Sequence, residues 1–382
     1  MTDLPPTGER VRVLHIITRL AARGAPRHVL DLAQRLDGEG FDVSILTGTP
    51  EVDEGNLLTE ARTRGLQVEV VDEMRRAVRP IQDLIALYKI FRMIRRGCFD
   101  IVHTHISKAG ILGRVAAWVA RTPVVMHTYH GPVEELSNPV LLAVERWVAK
   151  RTDVLIAVSP SVVEHQLALG LGCREQYEVV PNGIDLQWYQ EATGATVDLR
   201  ASLGGEPILG TIGSLTAEKG TEVLISAAAV LCRSFPELRV CIVGDGSARD
   251  ALAAQVEALG LSNHVVFVGN VEDVRGWLSV FDVFALPSYR EGMSRSLLEA
   301  MAAGCAAVAT NVGDAPEMLD ASCLVAAGDI DGLVEAITRL LNDDDERHRQ
   351  HEHNQTVAGR HDLQIMTTRM AQLYASHLKK PA

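Results

Sequence analysis

Short apolar runs alternate along this chain with longer stretches in which apolar residues recur every three or four positions. Val11–Ile17 is a strand-like run, and Arg27–Leu36 follows it with Val29, Leu30, Leu32, Ala33 and Leu36 at helical spacing. Phe41–Leu46, Leu66–Val71, Ile101–Thr104, Val124–His127 and Val154–Val158 continue the series of predicted strands. Strands separated by helical patterns predict a parallel sheet covered by helices. The pattern then restarts. Pro181-Asn182-Gly183 is a turn-forming cluster, and a polar stretch runs from it to about Gly205. Ile208–Ile212, Arg239–Val243, Val265–Val268, Val283–Leu286 and Ala306–Thr310 are the predicted strands of a second series. The chain therefore reads as an α/β protein of two Rossmann-like, doubly wound domains, residues 1–183 and 184–362. A last helix at about Leu363–Leu378 is not needed by the second sheet and is expected to pack back on the first domain. Open α/β sheets bind ligands at the carboxyl ends of their strands, so this organisation predicts a central cleft that the two sheets face.

Composition narrows the class. The 382 residues are 47% hydrophobic and 23% charged, which excludes disorder for the bulk of the chain and suits two domains. Lys plus Arg number 37 against 49 acids, a net charge of −12, which argues against general nucleic-acid binding. The six cysteines are scattered, with no Cys-x-x-Cys pair, and are expected to be buried free thiols in a reducing compartment. No apolar run reaches the roughly 18–20 residues of a membrane span. Met1 to Arg10 has no apolar segment of the secretory kind and reads as a frayed tail, so a cytoplasmic location is expected.

The most informative stretch is Tyr289-Arg-Glu-Gly-Met-Ser-Arg-Ser-Leu-Leu-Glu-Ala-Met-Ala-Ala-Gly304. Pro287-Ser288 break the preceding strand. Gly292 allows close backbone approach, Ser294 is a candidate N-cap, and Gly304 ends the helix. Backbone N–H groups over 292–295 suit an anion. Glu299 lies just over two helical turns beyond Glu291, so both carboxylates can face one ligand.

This stretch resembles the Glu-x7-Glu signature of the retaining family 4 glycosyltransferases, which have the GT-B fold. Other motifs follow in the family's order: His127-Thr-Tyr-His130-Gly131, Val179-Val-Pro-Asn-Gly-Ile-Asp185, Gly213-Ser-Leu-Thr-Ala-Glu-Lys-Gly220 and Val243-Gly-Asp-Gly246. The resemblance spans about residues 11–340. It implies a retaining, metal-independent enzyme with no cofactor, moving a sugar from a nucleotide-sugar, with a lean to UDP. Lys219 would neutralise the donor diphosphate as the sugar–phosphate bond breaks. Glu299 would take the ribose hydroxyls. Glu291, with the backbone at Gly292, Met293 and Ser294, would hold the sugar. Asn270 and Val271 would offer backbone contacts to the base. His130 would stand near the transferred sugar, and Gly24 in the loop near the diphosphate. Two departures stand out: Ser214 replaces a usual arginine, for which Arg290 or Arg295 would have to compensate, and Arg23-Gly24 replaces a usual glycine pair.

Two features bear on the acceptor. His103-Thr-His105-Ile-Ser-Lys108 and the residues after it are similar to family members that build bacterial surface polysaccharides on a polyprenyl-diphosphate carrier, which makes His105 and Lys108 acceptor-side candidates. Residues 74–97 carry seven basic residues and the single acid Asp83. On that helix Lys89, Arg92, Arg95 and Arg96 share one face and Leu84, Leu87, Phe91 and Ile94 another, a seat for peripheral contact with an anionic membrane. The implied partners are thus a nucleotide-sugar and a glycan or lipid-linked acceptor. His103 with His105, and His348, His351 and His353, lack carboxylate or cysteine companions at metal-site spacing, and no metal is expected. Asp343-Asp344-Asp345 reads as a solvated loop. Three rival readings share the architecture. A non-catalytic nucleotide-sugar binder and a sugar-nucleotide epimerase remain as alternatives. A nicotinamide enzyme lacks its Gly-x-Gly-x-x-Gly: Gly24 stands alone, and Gly244-Asp-Gly246 has Arg249 at the third position.

Overall fold

The computed structural model describes residues 10–50, 55–131, 138–191 and 196–378. Of the tail read at Met1 to Arg10, residues 1–9 lie outside them, and Arg10 is tied to the first unit by donating to the Phe41 carbonyl at 2.6 Å. The chain divides into two compact units, Met1–Gly183 with Leu363–Ala382, and Ile184–Asp362.

The first unit is built on a seven-stranded parallel sheet. Its strands are β1 (Val11–Arg19), β2 (Phe41–Gly48), β3 (Gln67–Val70), β4 (Ile101–His105), β5 (Val124–Tyr129), β6 (Val154–Ala157) and β7 (Tyr177–Val179), in spatial order 3-2-1-4-5-6-7. Alternate residues along each central strand point to opposite faces. Val13, Ile17, Ile45, Ile101, Met126 and Ile156 supply one face, packed against the helices Gly24–Gly38 and Leu363–Leu378. Leu14, Ile16, Leu46, Val102 and Val125 supply the other, against the helices Pro80–Gly97 and Ser107–Ala120. Sheets covered on both sides need apolar residues at both phases, which is why these strands are mostly apolar, with buried polar residues such as His15, His103, His105 and His127 as the exceptions. The last helix brings Tyr374 edge-on to Phe41, with ring centroids 5.6 Å apart.

The second unit has six parallel strands: β8 (Ile208–Ile212), β9 (Arg239–Val243), β10 (Val265–Gly269), β11 (Val283–Leu286), β12 (Ala306–Thr310) and β13 (Leu324–Val325), ordered 10-9-8-11-12-13. Its core joins Leu209, Val240, Ile242, Val283 and Val308 to the helices Thr221–Ser234 and Ile330–Asn342. In each unit the strand order reverses once, between β1 and β4 and between β8 and β11. Those are the switch points at which such sheets leave room for ligands.

Three local expectations change. The polar stretch after Gly183 holds two short helices, Leu186–Gln190 and Thr196–Leu203; Asp185 caps the first by accepting from the Trp188 N–H. Asp343-Asp344-Asp345 is a helix start and not a loop: Asp343 caps the helix Asp344–Ala358 by accepting from the Glu346 N–H at 2.8 Å, and the carboxylates suit the positive end of the helix dipole. Cys98 and Cys173 are exposed, whereas Cys241 and Cys305 are buried and burial pushes their thiols up to about 12.

One buried charge pair ties helices to sheet in the first unit. Arg114 donates to Glu145 Oε1 at 2.5 Å and to the Gly110 carbonyl at 2.8 Å, and the Tyr129 hydroxyl donates to the same Glu145 oxygen at 2.7 Å. Both charged side chains are 1% exposed. Removing one partner strands the other in a dry interior. Glu145→Ala is therefore expected to cost about 3–5 kcal/mol in urea unfolding. A loss below about 1 kcal/mol would show that water reaches Arg114.

Candidate functional site

In the second unit, the loops that leave β8 and β11 meet beside the switch point. Lys219 ends a tight turn, Ala217–Lys219, after which Gly220 takes φ 62°. A Cβ on Gly220 would lie 2.1 Å from the Pro287 carbonyl oxygen, so only glycine lets the two loops touch here. The Tyr289 N–H locks the contact by donating to the Glu218 carbonyl at 2.8 Å. Lys219 Nζ then donates to Glu291 Oε1 at 2.6 Å, and Ser288 Oγ donates to the same oxygen at 2.7 Å. Gly213, Ser214, Leu215, Lys219, Leu286 and Ser288 line a small pocket at this point. With Thr211 and Thr221 also in its wall, the pocket combines hydroxyls, apolar side chains and one ammonium.

Ser294 accepts from the Leu297 N–H at 3.4 Å and starts the helix Arg295–Ala302. Glu299 lies on that helix, 7% exposed, and accepts from Arg295 Nε at 2.9 Å. Arg295 is thereby committed to Glu299, and Arg290 stays exposed on the loop. Gly292, Met293 and Ser294 are buried, and the Gly292 carbonyl accepts from the Asp314 N–H at 3.0 Å. The turn after β9 lies against this region, since the Leu215 N–H donates to the Asp245 carbonyl at 3.0 Å. Gly244 also bonds the end of β10, after which come the exposed Asn270 and the half-buried Val271.

In the first unit, Gly24 is exposed at the start of the helix Gly24–Gly38 that follows β1. His130 follows β5, with its Nε2 3.1 Å from Nδ1 of His105, the last residue of β4. Burial drives the pKa of both rings well below the ordinary histidine value, and neighbouring imidazoles push the same way. His28 meets His130 edge-on at 5.0 Å between ring centroids. Lys108 is not held out to solvent. Its ammonium lies 2.6 Å from Asp83 Oδ1 and donates to the Ala77 carbonyl at 2.5 Å.

Sequence reasoning missed Ser288, whose role is only visible once Glu291 folds back over it. It also missed His15, which faces the histidines of β4 from an apolar strand. Ring nitrogens of His15, His103 and His105 lie within 4.8 Å of one another, a grouping that could hold a metal ion. His348, His351 and His353 form no such group among the described residues: His348 and His351 each turn Nδ1 to a backbone carbonyl, of Asp344 and Gly304.

The helix Pro80–Gly97 divides differently from its expected faces. Ala86, Ile90 and Ile94 are the buried seam, and Leu87 and Phe91 are half-buried against it. Leu84 instead joins an exposed apolar strip with Val78, Ile81, Ile85 and Tyr88, of which Ile81 is 76% exposed. Arg75, Arg76, Arg79, Arg92, Arg95 and Arg96 are exposed, while Lys89 donates to Glu73 at 2.7 Å. Among the described residues no helix is long and apolar enough to cross a membrane.

Two family models match the chain: Glycosyltransferase Family 4 over residues 22–188, and Glycosyl transferases group 1 over residues 200–357. The UDP-Gal:alpha-D-GlcNAc-diphosphoundecaprenol alpha-1,3-galactosyltransferase of Escherichia coli is 27% identical over 358 residues, covering 88% of this chain and 89% of that protein. The phosphatidyl-myo-inositol mannosyltransferase of Mycolicibacterium smegmatis is 29% identical over 364 residues, covering 92% and 89%. Among solved structures, HepE of Anabaena in complex with UDP and glucose superposes with a TM-score of 0.85 at 23% identity, covering 96% of this chain and 100% of that one.

Proposed function

Because this chain belongs to glycosyltransferase family 4 and has the GT-B fold, we propose that it moves a sugar from a UDP-linked donor, with retention of anomeric configuration and without a metal ion, to a glycan or polyprenyl-diphosphate-linked acceptor of bacterial cell-surface polysaccharide synthesis. The observation that carries this reading is the meeting of Lys219, Ser288 and Glu291 beside a small pocket with Ser214, Thr211 and Thr221 in its wall. The reading of donor and acceptor draws on the activities of the relatives, a UDP-sugar transferase acting on a lipid diphosphate among them.

The chemistry follows from the groups present. Lys219 supplies the positive charge that a leaving diphosphate needs as the sugar–phosphate bond lengthens. In the structure that charge is paired with Glu291 at 2.6 Å. The Lys219 side chain is 26% exposed and that of Glu291 10%, so a dianionic ligand reaches the pair from the lysine side and competes with Glu291 for the ammonium. Glu291 is then free to accept from sugar hydroxyls, and Glu299 from the ribose. His130 offers a ring nitrogen to a hydroxyl of the transferred sugar. No side chain is assigned as a covalent nucleophile; the departing diphosphate takes the acceptor proton on the face it leaves.

The test is a screen of nucleotide-sugars against the purified chain with lipid-diphosphate acceptors, the product read by NMR. Transfer from a UDP-sugar with the donor anomer kept, unaffected by EDTA, is the expected result. An inverted anomer or a trapped glycosyl–enzyme adduct would overturn the mechanism, and donor-only turnover would favour an epimerase.

We also propose that the strip Val78, Ile81, Leu84, Ile85 and Tyr88, rimmed by arginines, seats the enzyme on the anionic cytoplasmic face of a membrane. Burying one such aliphatic side chain is worth about 1.5–3 kcal/mol. The double variant Ile81→Ser, Leu84→Ser is expected to bind phosphatidylglycerol vesicles at least tenfold more weakly in sedimentation, and added salt is expected to weaken the wild type. Equal sedimentation of variant and wild type would remove this surface from the account.

A further inference from the structure

The core of the first unit holds an unbroken run of hydrogen-bonding side chains that ends at His130. Thr128 Oγ1 lies 2.7 Å from His103 Nε2, and His103 Nδ1 lies 2.6 Å from the Tyr374 hydroxyl. That hydroxyl is 3.5 Å from His15 Nε2, and His15 Nδ1 is 2.8 Å from His105 Nε2. His105 Nδ1 closes on His130 Nε2 at 3.1 Å. Strand register makes the run possible. His15 on β1 sits opposite His103 on β4, Thr128 on β5 sits opposite His105, and His103 and His105 share a face two residues apart. Tyr374 comes from the helix Leu363–Leu378. Every member except His130 is at most 1% exposed.

A neutral imidazole has one donor and one acceptor nitrogen, and a hydroxyl donates once. These rules leave the run two complete arrangements. In one, His130 Nε2 donates to His105, His105 to His15, His15 to the tyrosine oxygen, the tyrosine to His103 and His103 to Thr128. His130 then shows a bare Nδ1. In the other, every proton is shifted the opposite way and His130 shows an Nδ1–H. Both keep all members neutral. Burial holds the pKa of His15 down at about 3 and those of His103 and His105 well below the ordinary value, in keeping with neutral rings.

We propose that Thr128, His103, Tyr374, His15 and His105 form a relay that sets which ring nitrogen of His130 carries the proton, so that His15, His105 and Tyr374 are positioning residues for His130. The tautomer of a histidine is fixed by the bond its other nitrogen makes, and here that bond is one of a correlated series. A metal ion bound by His15, His103 and His105 would have to break the run, because both ring nitrogens of each already have partners within it. The catalytic consequence rests on the reading of His130 as a sugar contact; the relay itself does not.

The test uses the full chain labelled with ¹⁵N-histidine. Wild type is expected to show one neutral tautomer for each of His15, His103, His105 and His130, with no metal ion retained. Tyr374→Phe keeps the ring against Phe41 and deletes the link in the middle. It is expected to shift the His130 nitrogen signals toward a mixture of tautomers. It is also expected to lower kcat about ten- to a hundredfold, the usual range for a group that orients another, with little change in the donor KM. If that variant fails to fold, Thr128→Val interrupts the far end and is read the same way. Unchanged His130 signals in the variant that folds would overturn the relay, as would a stoichiometric metal ion lost in His15→Gln. Signals that respond in a chain that transfers no sugar would uphold the relay while the transferase reading falls.

Discussion

Lys219→Ala is expected to slow sugar transfer about 10²–10³-fold while the thermal transition of the protein moves little. The rate effect comes from timing. The diphosphate gains charge only as the sugar leaves, and a fixed ammonium aimed at that charge stabilises the transition state more than the ground state. The small stability effect comes from exposure: the Lys219–Glu291 pair is open to water on the lysine side. Glu299 makes the companion test. Glu299→Gln preserves the shape of the helix Arg295–Ala302 but weakens both the bond from Arg295 and the proposed grip on ribose hydroxyls. It is expected to act mainly on donor KM, with Lys219→Ala acting mainly on kcat. Steady-state kinetics with a UDP-sugar separates the two, and near-normal kcat/KM in both variants would defeat the assignment of this site.

Mild acid is expected to unfold the first unit well before the second. His15, His103, His105 and His127 are all buried, and burial lowers the pKa of each; that of His15 falls to about 3. In the unfolded chain the same rings titrate near 6.5. Below that pH the unfolded state binds protons that the folded state refuses, so stability is fully present above about pH 7 and is lost as the pH falls. A ring that stays neutral in the folded chain costs about 1.4 kcal/mol for each pH unit below about 6.5. The four rings act in the same direction, so their costs add as the pH falls, against a stability that for a typical domain is only about 5–15 kcal/mol. Amide hydrogen exchange at pH 7.5, 6.5 and 5.5 is the measurement. Protection over β1, β4 and β5 should collapse before that over β8 and β11. Equal loss in the two sheets would mean that the histidines accept protons without unfolding.

The two parallel sheets were legible because strands buried on both faces are largely apolar at both phases of their alternation. Ile208–Ile212, Arg239–Val243, Val283–Leu286 and Ala306–Thr310 are strands with the very bounds the apolar runs suggest. The edge strands β7 and β13 were not legible, being three and two residues long and too short to carry a period. Around the candidate site, the spacing of Glu291 and Glu299 could be read, and so could the Ser294 cap. Their partners could not, because Lys219 reaches Glu291 only through a loop contact that depends on the positive φ of Gly220. Lys108 shows the same limit from the other side: the charge that meets it, Asp83, is distant in sequence and sits in a segment read for its excess of arginine. The histidine run was invisible for a related reason. One of its members lies in β1, another in β5, and Tyr374 lies at the far end of the chain.

That last placement has a cost during synthesis. The first 183 residues emerge from the ribosome long before Leu363, Met366, Met370 and Tyr374, which they need to cover the face formed by Val13, Phe41, Ile101 and Ile156. At about 5–20 residues per second, the nascent sheet waits roughly ten to forty seconds with that side covered by the helix Gly24–Gly38 but not by the last helix. Chaperones that shelter greasy surfaces on translating chains would find their target there, and a premature stop codon between residue 183 and Leu363 would release a polypeptide with that face of its sheet only partly clothed.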